Sequence, residues 1–103
     1  MATGTLGQAD LSALTNTTVY TVPADTTATI SISICNRSGL NRSIRIAISA
    51  SGTPSDAEYI EYGTLLTGNG TLERTGLVVS ANKNIVVYSD DDKVSVNIYG
   101  YEA

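Results

Sequence analysis

The sequence has no histidine, no tryptophan and no phenylalanine, and only one cysteine and two prolines among its 103 residues. Without histidine the chain lacks the commonest general base and the commonest transition-metal ligand together. Hydrolases built on Ser–His or Cys–His pairs are therefore excluded. A lone cysteine, Cys35, forbids an intrachain disulfide. It falls on the hydroxyl-bearing face of its strand, in line with Ser31 and Ser33, which reads as a small semi-buried thiol rather than a nucleophile. Positive charge is sparse too: six basic residues, Arg37, Arg42, Arg45, Arg74, Lys83 and Lys93, are scattered against ten acidic ones, giving a formal charge of −4. A nucleic-acid partner needs a basic face, and none is offered. No apolar run approaches the ~20 residues of a membrane-spanning helix. The opening MATG has neither the basic nor the apolar region of a secretory signal. The Asn-X-Ser/Thr sequons at Asn16, Asn36, Asn41 and Asn69 are then expected to be chance products of a chain rich in Ser, Thr and Asn.

What is present is β-patterning, densest over residues 27–50. Ala28, Ile30, Ile32 and Ile34 alternate with Thr29, Ser31, Ser33 and Cys35; Ile44, Ile46, Ile48 and Ala50 alternate with Ser43, Arg45, Ala47 and Ser49. A period of two places these six isoleucines on one face. β-Branched side chains fit a pleated surface, so composition and period agree. The connection 36–42 contains Gly39, Asn36 and Asn41, and it predicts an antiparallel hairpin whose isoleucine face needs a second layer.

The remaining chain divides in the same way. Residues 17–22 read as a strand stopped by Pro23. Residues 58–62 predict a strand with Tyr59 and Glu61 on one face and Glu58, Ile60 and Tyr62 on the other. Gly68-Asn69-Gly70 marks a turn before a strand at 71–75, and Gly76 a bulge or its end. Residues 85–89 and 93–101 predict a last hairpin around Asp90-Asp91-Asp92, with Tyr99 and Tyr101 opposite the core face. No stretch has helical periodicity. The expected fold is an all-β antiparallel sandwich of about seven or eight short strands, with jelly-roll-like and immunoglobulin-like topologies both open. It forms one domain over 17–103, preceded by an N-terminal arm at 1–16. That arm is either frayed or docks on a neighbouring subunit through Leu6, Leu11 and Leu14.

Few residues are candidates for chemistry. Asp90, Asp91 and Asp92 are the weak candidates for a hard cation, but adjacent side chains of an extended chain diverge, and the glycine and distal acid of a calcium loop are missing. A solvated turn is the better reading, and no metal or other cofactor is expected. Asp56, Glu58, Glu61 and Glu73 offer no convincing glycosidase pair in a chain with no tryptophan and no room for a deep cleft. Gly68 and Gly70 are turn residues, since no Lys-Ser/Thr follows them. The chain is not expected to be an enzyme. The tyrosines suit an interface, because each supplies rigid area with a polar tip. Tyr59, Tyr62 and Tyr88 are candidates, and Tyr99 and Tyr101 come first.

The order of signals TGTLGQ, TTVYTVPA, ICNRSG, RIAIS, EYIEYGT, GNGTLERTG and VSVNIYGYE spans nearly the whole chain. In this it resembles short structural proteins of tailed bacteriophages, especially phages of marine cyanobacteria. The resemblance implies a non-enzymatic virion component present in many copies and assembled in the host bacterial cytoplasm. Its implied partners are major capsid or tail subunits and further copies of itself, with neither nucleic acid nor membrane. A capsid decoration or cement protein, or an accessory tail layer, is the leading expectation. The alternative is a tail-fibre or surface recognition module that binds host glycan or protein through the loops 51–56 and 63–70.

Overall fold

Every second side chain of the strand Ala28–Asn36 is buried, from Ala28 through Ile30, Ile32 and Ile34 to Asn36. The computed structural model, which describes residues 2–103, sets this strand among eight. They are β1 (Thr3–Asp10), β2 (Thr17–Thr21), β3 (Ala28–Asn36), β4 (Arg42–Ser49), β5 (Tyr59–Leu66), β6 (Thr71–Val79), β7 (Asn84–Ser89) and β8 (Val94–Glu102). A 3-10 turn, Asp56–Glu58, precedes β5. The strands form two four-stranded antiparallel sheets, ordered β1-β8-β3-β6 and β2-β7-β4-β5. Ile30, Ile32, Ile34, Val96 and Ile98 of the first sheet and Ile44, Ile46, Ile85 and Val87 of the second meet in one core, so the architecture is a β-sandwich.

The hairpin expected over 27–50 is corrected by this topology. β3 and β4 lie in opposite sheets, and their isoleucines belong to the one core that fills the space between the sheets. Each strand is part of the other's second layer. The pattern of alternation is the same for a paired strand and for one across the core, and a connection of several residues spans the ~10 Å between sheets easily. The last hairpin fails for the same reason, since β7 and β8 also lie in different sheets. Among strands adjacent in sequence, only β4 and β5 pair.

The pairings β1–β8, β2–β7, β3–β6 and β4–β5 nest inside one another, as in one long hairpin with its tip at β4–β5. Rolling that hairpin brings β8 beside β3 and β7 beside β4, which completes both sheets. Asn36 anchors the roll. Its side-chain amide donates to the carbonyls of Leu40, Leu66 and Thr67 at 2.8, 3.3 and 3.0 Å, tying the β3–β4 loop to the β5–β6 loop.

Residues 3–10, expected as part of an arm outside the domain, form the edge strand β1. Its inward positions, opposite Gly100, Ile98 and Val96, are Gly4, Gly7 and Ala9, so no apolar alternation announces the strand. The small residue at 7 is needed, because a Cβ there would lie 2.4 Å from the Val19 carbonyl oxygen. Leu11 is buried in the core, which removes it from any docking arm, and Leu6 is partly buried against that core. Leu14 alone of the three projects, 69% exposed, from a loop where its φ is +57°.

Candidate functional site

Two outer faces and one turn hold the side chains singled out above. On the outer face of β1-β8-β3-β6 the register produces cross-strand rows. One row is Thr3, Tyr101, Thr29 and Val78, and the next contains Thr5, Tyr99 and Ser31. Gln8, Asn97, Ser33 and Glu73 follow, then Asp10, Ser95, Cys35 and Thr71. The face is dominated by hydroxyls and amides. Its charged members in these rows are Asp10, which pairs with Arg37 at 2.5 Å, and Glu73. Gln8 and Asn97 satisfy each other across β1 and β8 at 2.7 Å. At the other end of the face Val78 is 68% exposed and Tyr101 50%, with Tyr99 beside them. Tyr99 and Tyr101 thus stand outward, where alternation places them.

The outer face of β2-β7-β4-β5 is built differently. Thr18, Val86, Ala47 and Tyr59 form one row, yet Val86 and Ala47 are buried although they point away from the core. The chain after β4 runs beside this row, where a Cβ built on Gly52 would lie 3.7 Å from the Thr18 hydroxyl oxygen. Glu58 braces this segment. Its carboxylate accepts hydrogen bonds from the Ser55 N–H, the Ala50 N–H and the Ser49 hydroxyl, each at 2.9 Å. These bonds, led by the one from Ser55, hold its pKa down at about 2.

In the next row Tyr88, Arg45 and Tyr62 lie side by side on three strands. The Arg45 guanidinium carbon sits 4.4 Å from the centre of each tyrosine ring, stacked against both. Tyr59 meets Tyr62 edge to face, with centroids 4.9 Å apart and planes at 82°. Alternation predicted these two tyrosines on opposite faces. The pairing of β5 with β4 instead shifts between Ile46 and Ala47, so that Ile60 is an extra residue and both rings come to one side. A second shift, opposite Ile44 and Arg45, falls at Gly63 with φ at +67°. Asp56, Tyr59 and Tyr62 line an open cleft of about 410 Å3.

The acidic turn is occupied by structural bonds. Asp90 accepts from the Ser43 N–H and Asp91 from the Lys93 N–H, each at 3.2 Å, and Asp91 also pairs with Arg42 at 3.2 Å. The Asp90 and Asp91 carboxylates serve different partners, and no group of three metal-ligating side chains converges among the described residues. Of the acids weighed for a glycosidase pair, Glu58 and Glu61 are engaged: Glu61, which points inward from β5, pairs with Arg74 of β6 and accepts from the Thr64 hydroxyl at 2.5 Å. Tyr20 and Glu102 close the opposite side of the sandwich through a 2.5 Å hydrogen bond. Burial, then that bond, push the Tyr20 hydroxyl pKa well up; the same bond and one from the Ala2 N–H pull Glu102 down.

Compared with known proteins, the chain matches no family model, no curated protein and no solved structure.

Proposed function

We propose that the chain is a non-enzymatic structural protein of a bacteriophage virion, a capsid decoration or cement protein or an accessory tail layer, that works by packing against neighbouring subunits. The observation that carries this reading is the outer face of β1-β8-β3-β6. Exposed Tyr101, Tyr99 and Val78 supply apolar area at one end, and hydroxyls and amides dominate the rest, with Asp10 and Glu73 as the charged members of its rows. Such a face buries against a neighbour with little desolvation of charge, in keeping with the depletion of charged residues and enrichment of tyrosine at interface cores. The partners would be major capsid or tail subunits and other copies of this chain. The nested strand order supports reading the sandwich as a jelly roll, an architecture used by capsid and lectin domains, rather than as an immunoglobulin-like fold with its different division of strands. Leu14, projecting from the loop after β1, is the one leucine of the expected arm that stands exposed for a docking contact.

A Tyr101→Asp/Val78→Asp variant tests the role. It places two charges on the proposed contact while leaving the core untouched, so it should fold normally yet lose most of its uptake by virus particles lacking the protein. Undiminished uptake would place the contact elsewhere. The recognition-module alternative would use the loops 51–56 and 63–70, and the cleft of Asp56, Tyr59 and Tyr62 borders both of them.

A further inference from the structure

We propose that the cleft bounded by Asp56, Tyr59 and Tyr62 is a binding site for a neutral saccharide ring. This names a ligand class for the recognition reading and does not depend on the packing role assigned to the other sheet.

The cleft has the parts that such a ligand needs. Its volume, about 410 Å3, falls within the ~300–1,000 Å3 usual for small-ligand sites. Tyr62 is 63% exposed, a flat ring at the surface, and Tyr59 stands nearly perpendicular to it as a second wall. The face of an aromatic ring is electron-rich and attracts the polarised C–H groups of a sugar face. Asp56 enters none of the ion pairs among the described residues, so its carboxylate is left to accept hydrogen bonds from neighbouring sugar hydroxyls.

The mounting is rigid. Arg45 lies against Tyr62 on one side and Tyr88 on the other, holding the platform ring in place. The 3-10 turn that presents Asp56 is pinned by the three hydrogen bonds to Glu58. A site held by such supports loses little freedom when it binds.

The same neighbours select the ligand. The fixed positive charge of Arg45, one ring away, disfavours an organic cation in what would otherwise resemble an aromatic cage. An anion would meet Asp56. A neutral polyol escapes both penalties and uses both the ring and the carboxylate. Hydrolysis is not part of the proposal, because Glu58 and Glu61, the nearby acids, are committed to structural hydrogen bonds and an ion pair.

The test is an NMR titration of the full chain, following tyrosine ring and backbone signals. The probes are glucose, galactose, mannose and N-acetylglucosamine with their di- and trisaccharides. Choline chloride and a proline-rich peptide serve as competing chemistries. At least one saccharide should saturate the site, with shifts concentrated at residues 56–62 and at Arg45. Tyr62→Ala and Asp56→Asn should each weaken binding about tenfold, the scale of one lost stacking or charge-assisted contact. Asp56→Asn keeps the side-chain shape, and the amide spectrum of each variant reports its folding. The proposal is overturned if no saccharide shifts these signals, if both folded variants bind as well as the parent, or if choline or the peptide saturates the cleft and the sugars do not. Particle uptake is measured separately and reads the opposite sheet, so either proposal can fail alone.

Discussion

A carboxylate that accepts three hydrogen bonds resists protonation, and Glu58 does so in an otherwise solvent-facing loop. Its pKa is depressed in the folded chain, to about 2 from an ordinary 4.5. The unfolded chain therefore takes up the proton first as pH falls, and the stabilisation, fully present above about pH 4.5, is lost as pH drops toward 2. The Ala50 and Ser55 amide signals should shift, and their hydrogen exchange quicken relative to core amides, across that window. In Glu58→Gln the transition should vanish, with the loop already loosened at neutral pH. An unchanged titration in the variant would assign the effect to another acid. The Ser55-x-x-Glu58 spacing is that of a capping box and accounts for the bond from Ser55; the bonds from Ser49 and Ala50 have no such signal, because a turn of unpredictable course brings those residues back to Glu58.

At the level of elements, alternation was legible and its interruptions were not. The buried sets of β3 and β8 follow period two throughout the core, and the sequence marks them plainly. In β5 two extra residues, Ile60 and Gly63, reset the period, and the first of them brings Tyr59 and Tyr62 to one side and so forms the cleft. Gly63 is the visible half of that signal. With φ at +67° it occupies the left-handed region, where a Cβ is penalised by ~1–2 kcal/mol. Gly63→Ala should accordingly lower unfolding stability by about 1 kcal/mol in a urea titration. A neutral substitution would mean that the bulge tolerates a different backbone. β1 escaped notice for the opposite reason: its inward glycines and alanine leave nothing apolar to alternate.

For the molecule as a whole, sandwich and strand number could be read from turns and periodicity, whereas partner choice could not. Isoleucines that face one another across a core and isoleucines that sit side by side in a sheet leave the same trace in a sequence. The nested topology has a kinetic consequence. With β4–β5 as the only sequence-adjacent pairing, most of the ladder joins distant segments, from β3–β6 out to β1–β8. Closing such loops before they are rewarded by contacts places two-state folding in the range of milliseconds to seconds. Stopped-flow refolding followed by tyrosine fluorescence measures this directly, and complete refolding in microseconds would contradict it.

The proposal that this sandwich packs on a virion predicts that particles lacking the protein take it up when it is added in purified form, as a count of the retained copies would show. Saturable uptake at a copy number set by the shell or tail lattice, with resistance to heat restored, is the predicted result. Uptake that never saturates, or none at all, would contradict it.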